Sequence, residues 1–76
     1  MSNFNIDIKG DIIDEVQVTI TKKHLTILCY VDGIMVEKYH NYKPLINRYH
    51  LKDYIDELTE GSKVTHNLYE IIEKEL

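Results

Sequence analysis

Residues 16–40 read VQVTITKKHLTILCYVDGIMVEKYH, and this stretch decides the fold. Apolar and polar side chains alternate from Val16 to Ile20, which is the period of a strand with one buried face. Asp32-Gly33 stands between two further apolar runs, and this dipeptide is the strongest short-range signal for a tight hairpin turn. Lys22-Lys23 predicts a second turn of the same kind. The stretch therefore predicts antiparallel strands joined in a meander.

The two turns predict one consistent register. Counting from Asp32-Gly33 sets Cys29 opposite Val36, and it also sets Thr26 opposite Tyr39. Since a slip by one residue would move every side chain to the other face, agreement between the turns specifies the register. The predicted core face collects Val16, Val18, Ile20, Leu25, Ile27, Cys29, Val31, Ile34 and Val36.

The opposite face of this sheet is predicted to carry an apolar and aromatic strip. The same parity places Leu28, Tyr30, Met35 and Tyr39 there, while His40 falls on the core side. In an antiparallel sheet the face away from the core is usually exposed to solvent. Such a strip marks a partner or dimer surface, although an ordinary half-exposed sheet face fits the pattern equally well.

A further strand is predicted on the N-terminal side. Phe4, Ile6 and Ile8 alternate with polar residues, as in a half-buried strand. A bulge near residues 13–15 would keep Asp14 off the apolar face.

Helical spacing replaces the strand pattern after the last strand. Pro44 suits an irregular or 3₁₀ turn, and a helix is predicted to begin between Asn47 and His50. The buried stripe of this helix comprises Leu51, Tyr54, Ile55 and Leu58. Gly61 ends it, and Ser62 caps a second helix. The second stripe comprises Val64, Leu68, Ile71 and Ile72.

The elements together predict one α+β domain over residues 1–76. We expect an antiparallel meander of three to four strands within residues 4–40, then a connector over 41–48. Two short helices, about 49–60 and 63–75, should follow and pack on the single apolar face.

The small size and the lone cysteine bear on stability and location. A chain of 76 residues has a thin core, and Cys29 has no second cysteine for a disulfide. Self-association as a homodimer is therefore predicted to supply the stability that the thin core lacks. A lone cysteine and the absence of a signal-like N-terminus predict a cytoplasmic protein. No apolar run is long enough to span a membrane.

A cationic and aromatic window, residues 38–52, lies in an otherwise acidic chain. The formal net charge of the whole chain is −4, yet this window holds no acid. Tyrosine and arginine anchor protein interfaces. We expect the protein to contact its partner through this window and the adjoining strip. The candidate binding residues are Tyr30, Met35, Lys38, Tyr39, Tyr42, Lys43, Arg48, Tyr49, His50 and Lys52.

The outer side of the first helix is predicted to be acidic. Like charges four residues apart on a helix are mildly destabilising. This side is either a solvated surface or a face that docks on the basic groove of a nucleic-acid-binding protein. Its residues are Asp53, Asp56, Glu57 and Glu60.

These features predict a non-enzymatic interaction protein that binds a host protein as an inhibitor or adaptor. In size and composition alone the chain resembles small phage accessory proteins, including inhibitors of host defence, and this resemblance implies no residue roles. The alternative is a binder of single-stranded nucleic acid or a nucleotide through residues 38–52, because tyrosines stack on bases and cations contact phosphates. The acidic net charge disfavours that alternative.

A metal-independent ribonuclease is the remaining alternative. His40, His50 and Arg48 would supply its acid, its base and its phosphate clamp, but no catalytic dyad or nucleophile motif accompanies them. The histidines and Cys29 lack the spacings of metal sites, so neither a metal nor another cofactor is predicted.

Overall fold

The computed structural model describes residues 2–8, 12–60 and 68–76. The elements in order are β1 (Ser2–Asp7), β2 (Glu15–Ile20), β3 (His24–Val31), β4 (Ile34–Tyr42), α1 (Arg48–Leu58) and α2 (Leu68–Glu73). The strands form one antiparallel sheet in the order β1-β2-β3-β4, so that β1 and β4 are its edges. The predicted α+β fold, a meander followed by two helices, is confirmed. No described helix is both long and apolar enough to cross a membrane.

The core lies between one face of the sheet and the two helices. Alternating side chains of β2 and β3 are buried, and they are Val16, Val18, Ile20, Leu25, Ile27 and Cys29. The helices contribute Leu51, Ile55, Leu58, Leu68 and Ile72 to the same cluster. Val18 lies opposite Ile27 and Val16 opposite Cys29, which confirms the predicted register between β2 and β3.

Strand β4 departs from the predicted register. Pairing is regular as far as Tyr30 and Met35, but Cys29 then lies opposite Glu37. Val36 is therefore the extra residue of a β-bulge. The prediction that Ile34 and Val36 belong to the core was wrong, because their side chains are 68% and 54% exposed.

The bulge exchanges the faces of the residues that follow it. Since successive side chains of a strand point to opposite faces, one extra residue moves all later ones. Tyr39, predicted on the outer face, lies opposite Ile27 and packs against the core. His40, predicted on the core side, lies opposite Thr26 on the face away from the helices, which we call the outer face.

The turn at Asp32-Gly33 forms as predicted, with φ angles of 52° and 80°. Both central residues of a type I′ turn need positive φ, which glycine adopts without strain.

The bulge predicted near residues 13–15 is absent from the paired residues of β1 and β2. Their register runs without a shift, with Ile6 opposite Val16, and β2 begins only at Glu15.

The connection to α1 follows the expected path. Lys43–Leu45 form a 3₁₀ turn that includes Pro44. Asn47 caps α1, because its Oδ1 accepts hydrogen bonds from the backbone N–H groups of Tyr49 and His50 at 2.9 and 3.2 Å.

The second helix is only partly as predicted. Leu68 and Ile72 are buried, but Ile71 is 41% exposed, so the predicted stripe is buried only at those two positions. The predicted roles of Gly61, Ser62 and Val64 lie outside the described residues.

Candidate interaction surface

Strand β4 presents a free edge with an exposed apolar end. One side of β4 pairs with β3, and no described strand pairs with its other side. Ile34, Met35 and Val36 are 68%, 50% and 54% exposed, and we call these three residues the edge patch. An unpaired strand edge beside exposed apolar side chains favours association with another chain.

Two features restrict what this edge can accept. The bulge at Val36 interrupts the ladder, and Lys38 places a charge in the regular segment beyond it. Bulges and edge lysines are both devices that discourage indiscriminate strand pairing. A segment that paired with this edge would have to match the bulge and the charge.

The outer face continues the edge patch with a cluster of rings. His24 stacks on His40 with ring centroids 5.0 Å apart, and His24 also meets the ring of Tyr42 edge-on at 5.5 Å. The hydroxyl of Thr26 lies 2.7 Å from Nδ1 of His40 and fixes the orientation of that ring. The outer row of β4 thus runs from Met35 through the charge of Lys38 to these rings.

The ten predicted binding residues occupy separate places. Those on the outer face are Tyr30, Met35, Lys38 and Tyr42. Tyr39 instead stacks on Tyr54 of α1, with centroids 5.0 Å apart. Tyr49 and His50 are exposed in the first turn of α1. Lys52 pairs with Asp56 at 3.2 Å. The remaining two, Lys43 and Arg48, line a cleft.

This cleft has a volume of about 430 Å³. It is lined by Lys22, Lys43, Pro44, Ile46, Arg48 and Leu76. Sequence reasoning missed Lys22 as a site residue. The signal was present, because the Lys22-Lys23 turn and the end of β4 must meet at one end of an antiparallel sheet, and the backbone N–H of Lys43 donates to the carbonyl of Lys23 at 2.7 Å.

A partly buried polar pair lies between β3 and α1. The hydroxyl of Tyr54 is 3.8 Å from Sγ of Cys29. Burial raises the pKa of the Cys29 thiol, the hydrogen bond with Tyr54 lowers it, and the charge of Glu37 raises it. Burial also raises the pKa of Tyr54, and Cys29 and Glu37 add to that increase. Both groups stay protonated at neutral pH, so neither is an activated nucleophile.

We expect the free energy of unfolding to fall as the pH rises above about 9. The unfolded chain releases the thiol proton of Cys29 near its ordinary pKa of 9.0, whereas the folded chain retains it. Because the folded state then holds more protons, stability decreases with pH. Urea unfolding at several pH values between neutral and alkaline measures this fall. The Cys29→Ala and Tyr54→Phe variants should lose less stability than the parent over that range, and equal losses would contradict the assignment.

The acidic side of α1 is largely unpaired. Lys52–Asp56 is the one ion pair among the described residues, and such an exposed pair contributes little to stability. The Nζ atom of Lys52 also lies 5.9 Å from the ring centroid of Tyr69. Asp53, Glu57 and Glu60 are exposed. Glu57 shares a groove of about 140 Å³ with Ile12, Ile13, Glu37, Tyr54 and Leu58.

No metal centre is assembled among the residues that the structure describes. No three histidine, cysteine, aspartate or glutamate side chains in it lie close enough to hold a metal ion. His40 contacts Thr26 and His24 rather than His50. Comparisons with family models, curated proteins and solved structures found no match to this chain.

Proposed function

We propose that this chain works by binding another protein, and that the partner lies along strand β4. The observation that carries the proposal is the edge patch, where three consecutive apolar side chains are at least half exposed on an edge strand. Burying such side chains on a partner is favourable by about 25 cal/mol per Å² of apolar surface. The open edge also offers backbone groups to an extended segment of the partner.

The outer row of β4 indicates the chemistry of that segment. Met35 offers an adaptable apolar contact, and Tyr42 offers a ring of the kind enriched in protein interfaces. Lys38 lies between them, so an acidic residue opposite it would add electrostatic complementarity. The matching segment is extended and apolar, with an acid near its middle. An inhibitor or adaptor of a host protein, of the phage type, would act in this way.

Features elsewhere in the chain favour binding over catalysis. The raised pKa values of Cys29 and Tyr54 keep both groups protonated. Single-stranded nucleic-acid binding through residues 38–52 has weaker support, because that window is divided. Lys38 belongs to the outer face, Arg48 to the cleft, and Lys52 is paired with Asp56.

The test compares a charge placed in the edge patch with the same charge placed elsewhere. Val36→Lys should weaken partner binding about thirtyfold, the effect of losing one contact worth about 2 kcal/mol. Leu45→Lys is the matched control, because Leu45 is 81% exposed on the 3₁₀ turn and lies outside the proposed contact. Affinity capture from a bacterial lysate supplies the partner, and titration with the purified partner gives the affinity.

The contrary results are distinct. If Val36→Lys and Leu45→Lys bind the partner equally well, the partner does not lie along β4. Light scattering on the isolated chain tests whether a second copy of the chain occupies this edge instead. A homodimer that Val36→Lys dissociates would assign the edge to a second copy of this chain and overturn the proposal of a different protein.

A further inference from the structure

Three cations without a carboxylate partner line the cleft at the end of the sheet. They are Lys22, Lys43 and Arg48. Among the described residues the ion pair that forms is Lys52–Asp56, and none of the three cleft cations takes part in one. The chain has 13 acidic residues against 9 lysines and arginines. Leaving three cations unpaired in so acidic a chain concentrates positive potential in this cleft.

Lys43 is held in position without losing its charge. Its Nζ donates a hydrogen bond to the carbonyl oxygen of Thr21 at 3.1 Å, and its side chain is half-buried. Its backbone N–H donates to the carbonyl of Lys23. A carbonyl is neutral, so these bonds orient the ammonium but do not cancel it. Since an ammonium has three N–H donors, two remain for a ligand.

Arg48 strengthens the same potential. It is the first residue of α1, an 11-residue helix with no acid in its first turn. The helix dipole places partial positive charge at that end, where an acid would be stabilising. A cation there works against the dipole, and a bound anion offsets both. The guanidinium presents paired N–H donors, which match the oxygens of a phosphate.

The size and walls of the cleft limit the ligand. Its volume of about 430 Å³ suits a small molecule. Pro44 and Ile46 supply apolar lining. Glu75 lines the adjoining depression, which also contains Lys22 and Lys43, and its carboxylate accepts a hydrogen bond from Ser2 at 2.7 Å. This acid would repel an anion that extended from the cleft into the depression, which favours a compact anion over a long one.

We propose that this cleft binds a small phosphate-bearing molecule. Lys22, Lys43 and Arg48 contact the phosphate, and Pro44 and Ile46 contact the less polar part. The cleft and the edge patch share no residue. One chain would therefore bind a small ligand and a protein partner at separate places.

The experiment titrates the protein with inorganic pyrophosphate and with ADP while backbone amide resonances are followed. We expect shifts for residues 21–24 and 43–48, and tighter binding of ADP if its nucleoside contacts the apolar lining. Lys22→Gln and Arg48→Gln should each weaken binding about tenfold, as expected for a lost charge-assisted hydrogen bond. Lys74→Gln, at an exposed residue that does not line the cleft, is the matched control and should bind as the parent does.

Three results would overturn the proposal. The first is the absence of shifts at millimolar pyrophosphate and ADP. The second is citrate binding as tightly as pyrophosphate, which would make the cleft a general anion site. The third is a single-stranded oligonucleotide that binds more tightly than ADP and loses affinity in Lys38→Gln, which would assign the charge to nucleic acid.

Discussion

Replacing Ile27 with alanine should lower the free energy of unfolding by about 3 kcal/mol, which is a large share of the stability of so small a domain. Ile27 is fully buried at the centre of the sheet, between Val18 on β2 and Tyr39 on β4. Alanine would remove most of its apolar contacts and leave a cavity among strands that cannot move independently. Urea unfolding followed by tyrosine fluorescence or circular dichroism measures the loss.

The adjacent residue gives the matched control. Leu28 has a similar size but lies on the outer face and is only half-buried. Leu28→Ala should cost less than about 1 kcal/mol, because water replaces the lost side chain and no cavity forms. Equal costs at the two positions would mean that the sheet buries both faces, for example through a partner on the outer face.

Much of the sheet was predictable because several local signals agreed. Val16, Val18 and Ile20 alternate strictly, and a two-residue turn at the lysine pair fixes their partners on β3. The turn at Asp32-Gly33 needs the residue types that stand there. The helical stripe through Leu51 and Ile55 is likewise a purely local pattern. Each of these features depends on residues near one another in the chain.

The bulge was not predictable for the opposite reason. The residues around Val36 alternate well enough to continue a regular ladder. No residue near Val36 in the chain therefore argues against the regular pairing that is counted from the Asp32-Gly33 turn. A regular ladder would place Lys38 opposite Ile27 on the core face and bury a charge, whereas the bulge brings Tyr39 there to meet Tyr54 on α1. The register of β4 therefore depends on packing against α1, a helix that lies later in the chain, and not on a local sequence pattern.

The candidate sites were predictable in part. The cationic window suggested residues that the fold then separates, because the window crosses from a strand through a turn into a helix. Lys43 and Arg48 stay together in the cleft, joined by Lys22 from a different turn. The register error conceals part of the edge patch, since the regular count places Val36 on the core face. Ile34 keeps its predicted place opposite Val31 and is exposed all the same, which the local pattern does not indicate.

The second large effect is expected at Tyr39 and tests that register directly. Tyr39→Ala should lower the free energy of unfolding by about 2 kcal/mol, because the ring packs on the core and stacks on Tyr54. His40→Ala, next in the chain, should cost less than about 1 kcal/mol, since its ring is exposed on the outer face. A register without the bulge would place His40 on the core face, so His40→Ala would then lower the free energy of unfolding more than Tyr39→Ala does. Urea unfolding of both variants distinguishes the two.

Deleting Val36 completes the argument, because the bulge and not the turn sets the face of Tyr39. Without Val36, Met35 precedes Glu37 directly and the ladder from Tyr30 and Cys29 becomes regular. Tyr39 then still lies opposite Ile27, so Tyr39→Ala should cost the same about 2 kcal/mol in the shortened chain. If the parent ladder were regular, the deletion would instead move Tyr39 from the outer face to the core, and the cost of Tyr39→Ala would rise sharply on deletion. An unchanged cost therefore shows that the parent ladder contains an extra residue before Tyr39, as the pairing of Cys29 with Glu37 requires.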